Sequence, residues 1–369
     1  MKNKKKRIGA VLYVCIILIS VLGCAAPKDS GIVSTSETAE KFELALITDL
    51  GHIDDQSFNQ AAWQGVQQYA EEHGITYKYY QPEEGTSDAY VETIDQAIAA
   101  GAKLVVCPGY LFETPVFIAQ DRYPDVSFIL VDGQPHDSAN NVSKIGKNVL
   151  SILYQDEQAG FLAGYATVKD GHSKLGFMGG MAVPSVIRYG YGFVQGADLA
   201  AQELGITAEI QYTYTGTFIG TPEIQALATS WYTDGTEVIF SCGGAIVDSV
   251  ILAAEEKDNV KVIGVDVDQS GLSKTVMTSA MKMLTSSVYS GIRDYYGNAF
   301  QGGTVQKFSA VNNGIGLPMD TSTFSTFSQQ DYQDVYAELV AGEIVIANQT
   351  DDSTTADLPL QATTVTYIK

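Results

Sequence analysis

Asp125-Val126-Ser127-Phe128-Ile129-Leu130-Val131-Asp132 returns later in the chain as Asn259-Val260-Lys261-Val262-Ile263-Gly264-Val265-Asp266. Both copies are apolar runs of strand length that end on a carboxylate. Two further pairs keep nearly the same spacing. Gly101-Ala102-Lys103-Leu104 returns as Gly235-Thr236-Glu237-Val238, and Glu72-His73-Gly74-Ile75-Thr76 as Glu203-Leu204-Gly205-Ile206-Thr207. The three offsets are 134, 134 and 131 residues. Two tandem copies of one α/β unit are expected to build two similar lobes, and a cleft between lobes is where small molecules bind.

Around these stretches, strand-length apolar runs alternate with helical patterns. The first half gives strands near 43–48, 76–81, 103–107 and 127–131, and the second half near 174–178, 208–214, 237–241 and 260–265. Ser57 to His73 places Phe58, Ala61, Ala62, Val66, Tyr69 and Ala70 on one face and stops at Gly74, the position where a left-handed residue ends a helix. Asp88 to Ala100 repeats the pattern and stops at Gly101. Such alternation implies parallel sheets with right-handed crossovers, an α/β fold. The nearly continuous apolar runs suit strands covered by helices on both faces.

After Asp266 the pattern continues with a strand near 274–279, a helix near 284–299, a strand near 313–317 and a helix near 329–341. This tail is too short for a third domain. It is expected to cross back, completing the first lobe and then the second. The expected N-terminal lobe is residues 41–148 plus about 272–310, and the C-terminal lobe 149–271 plus about 311–369. Three chain crossings make a hinge between two Rossmann-like lobes, the layout of type I periplasmic binding proteins.

The first residues read as an address rather than as fold. Lys2, Lys4, Lys5, Lys6 and Arg7 precede an apolar stretch from Ile8 to Val21, followed by Val21-Leu22-Gly23-Cys24. Residues 1–23 are read as a lipoprotein signal peptide and Cys24 as the lipidated residue; a plain signal peptide or an uncleaved anchor is the alternative. Residues 24–40 read as a flexible tether. Removing residues 1–23 takes away five basic side chains and no acidic ones, moving the formal charge from −21 to −26. That balance argues against nucleic acid as a partner. Cys107 and Cys242 end two apolar runs, one in each expected lobe, and are read as buried free thiols rather than as a disulfide locking the lobes.

In open parallel sheets, ligands bind beyond the carboxyl ends of the strands. Those ends carry Asp49, Cys107-Pro108-Gly109, Asp132, Gly179-Gly180, Cys242-Gly243-Gly244 and Asp266. Carboxylates there accept hydrogen bonds from hydroxyl or N–H donors, or else cap the next helix. Glycine pairs let backbone approach a ligand. Phe58 and Tyr189, one per lobe, are placed to clamp a flat ring, or to be a core residue and a surface residue respectively. Lys282 on its own reads as solvated surface.

Enzyme signatures fail. There is no phosphate-binding loop and no nucleophile elbow, and the four histidines have no metal-ligand spacing. Gly190-Tyr191-Gly192-Phe193-Val194-Gln195-Gly196 approaches a dinucleotide fingerprint but has one residue too many and lies in a helical pattern.

Thr48-Asp49-Leu50-Gly51-His52-Ile53-Asp54-Asp55-Gln56-Ser57-Phe58-Asn59-Gln60-Ala61-Ala62-Trp63-Gln64-Gly65 resembles the opening motif of the basic membrane protein family, PnrA-like substrate-binding lipoproteins of ABC transporters. The similarity continues through Asp132, Gly179-Gly180, Arg188-Tyr189, Gly264 to Gln269 and Thr278 to Lys282. What the resemblance implies is a receptor that closes on a nucleoside, expected to be a purine nucleoside, for delivery to a membrane permease. Phe58 and Tyr189 would sandwich the base, with Tyr189 standing where the family usually has Phe. Asp132 would bond the base edge, Asp49 would add a polar contact and Asp266 would accept from the ribose. Gly243 and Gly244 would bring backbone to the ligand, and Lys282 would reach the sugar side.

The expectation is thus a monomeric, lipid-anchored binding protein on the extracytoplasmic face of the membrane, without cofactor or metal and not an enzyme. Its rivals are a receptor for riboflavin, another heterocycle or a sugar, and a nucleoside-processing enzyme built on the same carboxylates. A surface adhesin or antigen role is compatible with any of these.

Overall fold

The computed structural model describes residues 41–349 and 354–368. The expected signal peptide, Cys24 and the tether lie outside the described residues. The first copy begins with β1 (Leu44–Ile47), wholly buried, and α1 (Phe58–His73). Helix α1 buries Ala61, Ala62, Val66, Tyr69 and Ala70 and ends at Gly74 with φ of 68°, as the sequence pattern predicts. Next come β2 (Tyr77–Tyr80) and α2 (Ser87–Ala99), whose Thr86 cap accepts from the Ala89 N–H. The chain continues through β3 (Leu104–Pro108), α3 (Glu113–Arg122) and β4 (Ser127–Val131). A small antiparallel hairpin of β5 (His136–Asp137) and β6 (Val142–Ser143) leads to β7 (Val149–Tyr154).

The second copy runs α4 (Asp156–Lys169), β8 (Lys174–Gly179), α5 (Pro184–Leu204), β9 (Ala208–Tyr214), α6 (Pro222–Thr233), β10 (Val238–Cys242), α7 (Ile246–Glu255), β11 (Lys261–Asp266) and β12 (Val276–Lys282). The tail supplies α8 (Leu284–Tyr296), β13 (Thr304–Phe308), β14 (Ile315–Gly316), α9 (Gln329–Ala341) and β15 (Thr363–Tyr367).

These strands form two main sheets, ordered β13-β7-β4-β3-β1-β2 and β14-β12-β11-β10-β8-β9-β15. The pairings within them are parallel, except β12 with β14. The sheet edges move two of the boundaries expected from the sequence. Strand β7, expected to open the second lobe, pairs with β4 and β13 in the first sheet. Strand β12, expected to open the return to the first lobe, pairs with β11 in the second. Each copy is therefore one strand longer than the visible repeat. Which sheet each lengthening strand completes is not legible in its own residues, because only the hydrogen-bonded partner shows it. The chain passes between sheets after β7, after β12 and between β13 and β14, which gives the three crossings.

Helices α4 and α5 meet through glycine. A methyl group on Gly160 would lie 2.1 Å from the Tyr189 carbonyl oxygen, on Gly164 2.1 Å from that of Phe193, on Gly192 1.9 Å from that of Glu157, and on Gly196 2.1 Å from that of Phe161. The run that approaches a dinucleotide fingerprint is thus a packing surface inside α5, where small residues let two backbones approach closely. Cys107 and Cys242 are free and buried, as read from the sequence. Among the described residues, no helix is long and apolar enough to cross a membrane.

Gly192→Ala is expected to force α4 and α5 apart and lower stability by roughly 1–3 kcal/mol, the usual cost of overpacking. Thermal unfolding followed by circular dichroism reads this directly. An unchanged melting temperature would mean that the two helices separate without cost.

Candidate functional site

All eight ligand-binding residues expected from the sequence, Asp49, Phe58, Asp132, Tyr189, Gly243, Gly244, Asp266 and Lys282, line one cleft. The first sheet delivers Asp49 just beyond β1. Its Oδ1 accepts from the Gly51 N–H at 2.7 Å and from the Asn59 side-chain amide at 2.8 Å. The same Asn59 amide donates to Asp55 Oδ2 at 3.0 Å. Asp55 also accepts from the backbone N–H groups of Ser57, Asn59 and Gln60, so its carboxylate satisfies donors at the start of α1 that otherwise lack partners. This clasp fixes the turn that carries Phe58 into the cleft. Asn59 is the second residue of α1 and lines the cleft as well.

Asp132 and Asp266 follow β4 and close β11 in left-handed backbone, with φ of 58° and 68°. Non-glycine residues seldom adopt that region, and such outliers gather at ligand sites. The sequence repeat therefore reproduces a turn as well as a residue type. Asp132 Oδ1 is buried without a hydrogen-bond partner among the described residues, while its Oδ2 accepts from Lys282 Nζ at 2.5 Å. Asp266 Oδ2 accepts from the Ser57 hydroxyl at 2.6 Å, a bond from one lobe to the other. A second such bond runs from the Gln269 side-chain amide to the Gln56 carbonyl at 2.9 Å.

Tyr189 lies on α5 and is buried rather than on the surface. Its hydroxyl donates to the Ala280 carbonyl at 3.3 Å and its ring stands edge-on to Phe240 at 5.9 Å. Phe58 and Tyr189 flank the Lys282 ammonium, at 4.9 and 5.4 Å from their ring centres. Gly243 and Gly244 follow β10 with φ of 159° and 55°, and a methyl group on Gly243 would lie 2.9 Å from Gly180 backbone. Only glycine lets the two strand ends come that close.

Lys282 is buried, contrary to its reading as an isolated surface lysine. Besides Asp132 it meets Asp156 Oδ1 at 3.2 Å and Asp266 Oδ1 at 3.5 Å. Asp156 in turn holds Arg188, Oδ2 to Nη2 at 2.7 Å. Sequence reasoning missed Asp156 and Arg188 as the charges that lie behind Lys282. The strand-end rule that found Asp132 and Asp266 finds Asp156 too, once 149–154 is read as a strand. Arg188 carries no such signal, because its partner comes from another helix.

Burial dominates the titration of these groups. It pushes Asp49 up to about 6 against the help of Asn59 and Gly51. Burial likewise pushes Asp132 up to about 6, outweighing the pull of Lys282. Asp266 is also raised by burial, against Lys282 and Ser57. Burial acts to lower Lys282, but the carboxylates of Asp132, Asp156 and Asp266 outweigh it and hold the ammonium charged.

Residues 42–350 match the family described as ABC transporter substrate-binding protein PnrA-like. The chain is 29% identical to an ABC transporter nucleoside-binding protein of Lactococcus lactis, over 86% of this chain and 93% of that one. It is 28% identical to basic membrane protein B of Borreliella burgdorferi, over 83% of this chain and 89% of that one. The structure resembles a solute-binding protein of an ABC transporter system from Aeropyrum pernix, with a TM-score of 0.74 at 21% identity, over 84% and 94% of the two chains. The Lactococcus and Aeropyrum proteins bear the descriptions of binding proteins.

Asp49 binds more protons in the folded than in the unfolded chain between its ordinary value of 3.8 and about 6. Its contribution to stability is therefore fully present below the lower value and is lost as the pH rises through the upper one. Relative to Asp49→Asn, the wild type is expected to lose stability from about pH 4 to about pH 6 and then level off. Denaturant unfolding of both proteins across that window measures it; parallel curves would remove Asp49 from the account.

Proposed function

The chain belongs to the family of PnrA-like substrate-binding proteins of ABC transporters, and on that premise we propose that its cleft takes a nucleoside, a purine nucleoside first of all. The observation that carries this reading is one aromatic ring from each lobe beside the unpartnered Asp132 Oδ1. Flat rings between two aromatic faces gain roughly 0.5–1.5 kcal/mol per ring pair beyond the area they bury. A buried lone acceptor selects a ligand that brings a donor, because leaving it unmade is costly. Asp266 then offers a carboxylate to sugar hydroxyls, and Asp49 adds a further polar contact. The nucleoside-binding description of the Lactococcus relative supports the same ligand class.

Charge narrows the class further. Among the described residues, the cleft lining carries the carboxylates of Asp49, Asp55, Asp132 and Asp266 against the single ammonium of Lys282. A neutral donor-rich ligand suits that field and an anionic one does not. In this proposal the protein is a monomer held by lipid at Cys24 on the extracytoplasmic face. The open form takes the ligand on one lobe, contacts from the other favour closure, and the closed form delivers to a permease.

Mass spectrometry of small molecules released by denaturing natively purified protein, taken from residue 25 onward, tests the ligand class. A purine nucleoside is expected; a flavin or a sugar would overturn the reading while leaving the fold untouched. By calorimetry, Asp266→Ala should weaken nucleoside binding about 10- to 100-fold, the worth of a hydrogen bond to a charged group, and free-base binding little. Equal losses for both would take Asp266 away from the sugar. A nucleoside 5′-monophosphate should bind at least about 100-fold more weakly than its nucleoside, and equal affinities would refute the charge argument.

A further inference from the structure

We infer that Lys282 is a positioning residue that draws the two lobes together through the carboxylates it neutralises; the inference rests on the ligand reading above. An ammonium has three N–H donors and no acceptor. Here Nζ stands 2.5 Å from Asp132, 3.2 Å from Asp156 and 3.5 Å from Asp266. Asp132 and Asp156 each accept a hydrogen bond from it, and Asp266 completes the ring of carboxylates as an ion-pair neighbour. The rings of Phe58, Tyr154 and Tyr189 pack around the same ammonium at 4.9 to 5.4 Å.

The placement of these groups in the fold shows what the bridge joins. Asp132 follows β4 of the first sheet, and Asp266 ends β11 of the second. Lys282 is the last residue of β12, just before one crossing, and Asp156 is the first of α4, just after another. One cation thus ties carboxylates from both lobes at the hinge. The other groups around it are the Tyr154 hydroxyl, bonded to Ser287, and the buried Cys242 thiol. Beyond Asp156 lies Arg188, with Glu157 3.8 Å from the guanidinium. With Lys282 removed, Arg188 alone would face Asp132, Asp156 and Asp266. Like charges would then push the β4 end from the β11 end, which opens the cleft. Asp156 does not line the cleft, so it reports on charge balance without touching ligand.

The test compares wild type, Lys282→Met, Lys282→Arg and the double variant Lys282→Met with Asp156→Asn. Each is titrated with the nucleoside that wild type binds and melted without ligand, from about pH 5.5 to about pH 7.5. The expected result for Lys282→Met is a loss of at least about 100-fold in affinity at the higher pH, as when one partner of a buried pair is removed. Affinity and ligand-free melting temperature should both recover on acidification more than in wild type, because protonated carboxylates no longer repel. Asp156→Asn in the same background should restore part of the affinity at the higher pH, and Lys282→Arg should retain most of it. A loss that neither acid nor Asp156→Asn relieves is the mark of a plain ligand contact and overturns the inference. If Lys282→Met folds only in acid or only with Asp156→Asn, the result supports it; if neither restores folding, the inference fails. If wild type binds no nucleoside, the ligand reading fails, and the ligand-free melting curves decide the role of Lys282 by themselves.

Discussion

Parallel pairing is the constraint from which the rest of this molecule follows. A strand that runs parallel to its neighbour must be reached by a crossover, so a helix covers each return and every strand ends at the same edge. With two such sheets facing across a hinge, the strand ends of both lobes meet in one cleft. Asp49, Asp132, Gly243 and Asp266 are brought together by that rule although more than 200 residues separate the first from the last.

The same edge would be unstable as an assembly of carboxylates alone, and the fold answers with cations supplied from elsewhere. Lys282 comes from the end of β12 and Arg188 from α5. Asp156 links the two, holding one on each carboxylate oxygen. The glycine contact between α4 and α5 sets how near Asp156 and Arg188 come, since α4 carries the one and α5 the other. Backbone packing between α4 and α5 therefore bears on the electrostatics of the cleft.

The loop before α1 joins the two lobes in a different way. Asp55 and Asn59 tie it into the first lobe, while Ser57 and Gln56 reach Asp266 and Gln269 of the second. A segment so heavily hydrogen-bonded to both sides transmits the position of one lobe to the other. Phe58 follows directly, so the orientation of its ring is set beside bonds that reach both lobes.

The sequence by itself determined the α/β class, the duplication, the left-handed helix end at Gly74 and the strand-end residues of the cleft. These rest on period, apolar run and residue type, which are local properties. It also brought Phe58 and Tyr189 to the cleft, through their positions in the two lobes and through resemblance. Only the tertiary structure decided that β7 completes the first sheet and β12 the second, because sheet membership depends on which backbone groups pair. It also decided that Lys282 is buried and that Asp156 and Arg188 belong beside it. An ion pair between residues 126 positions apart, such as Lys282 with Asp156, leaves no trace in either local sequence. Burial turns a lysine that reads as surface into the charge on which three carboxylates depend.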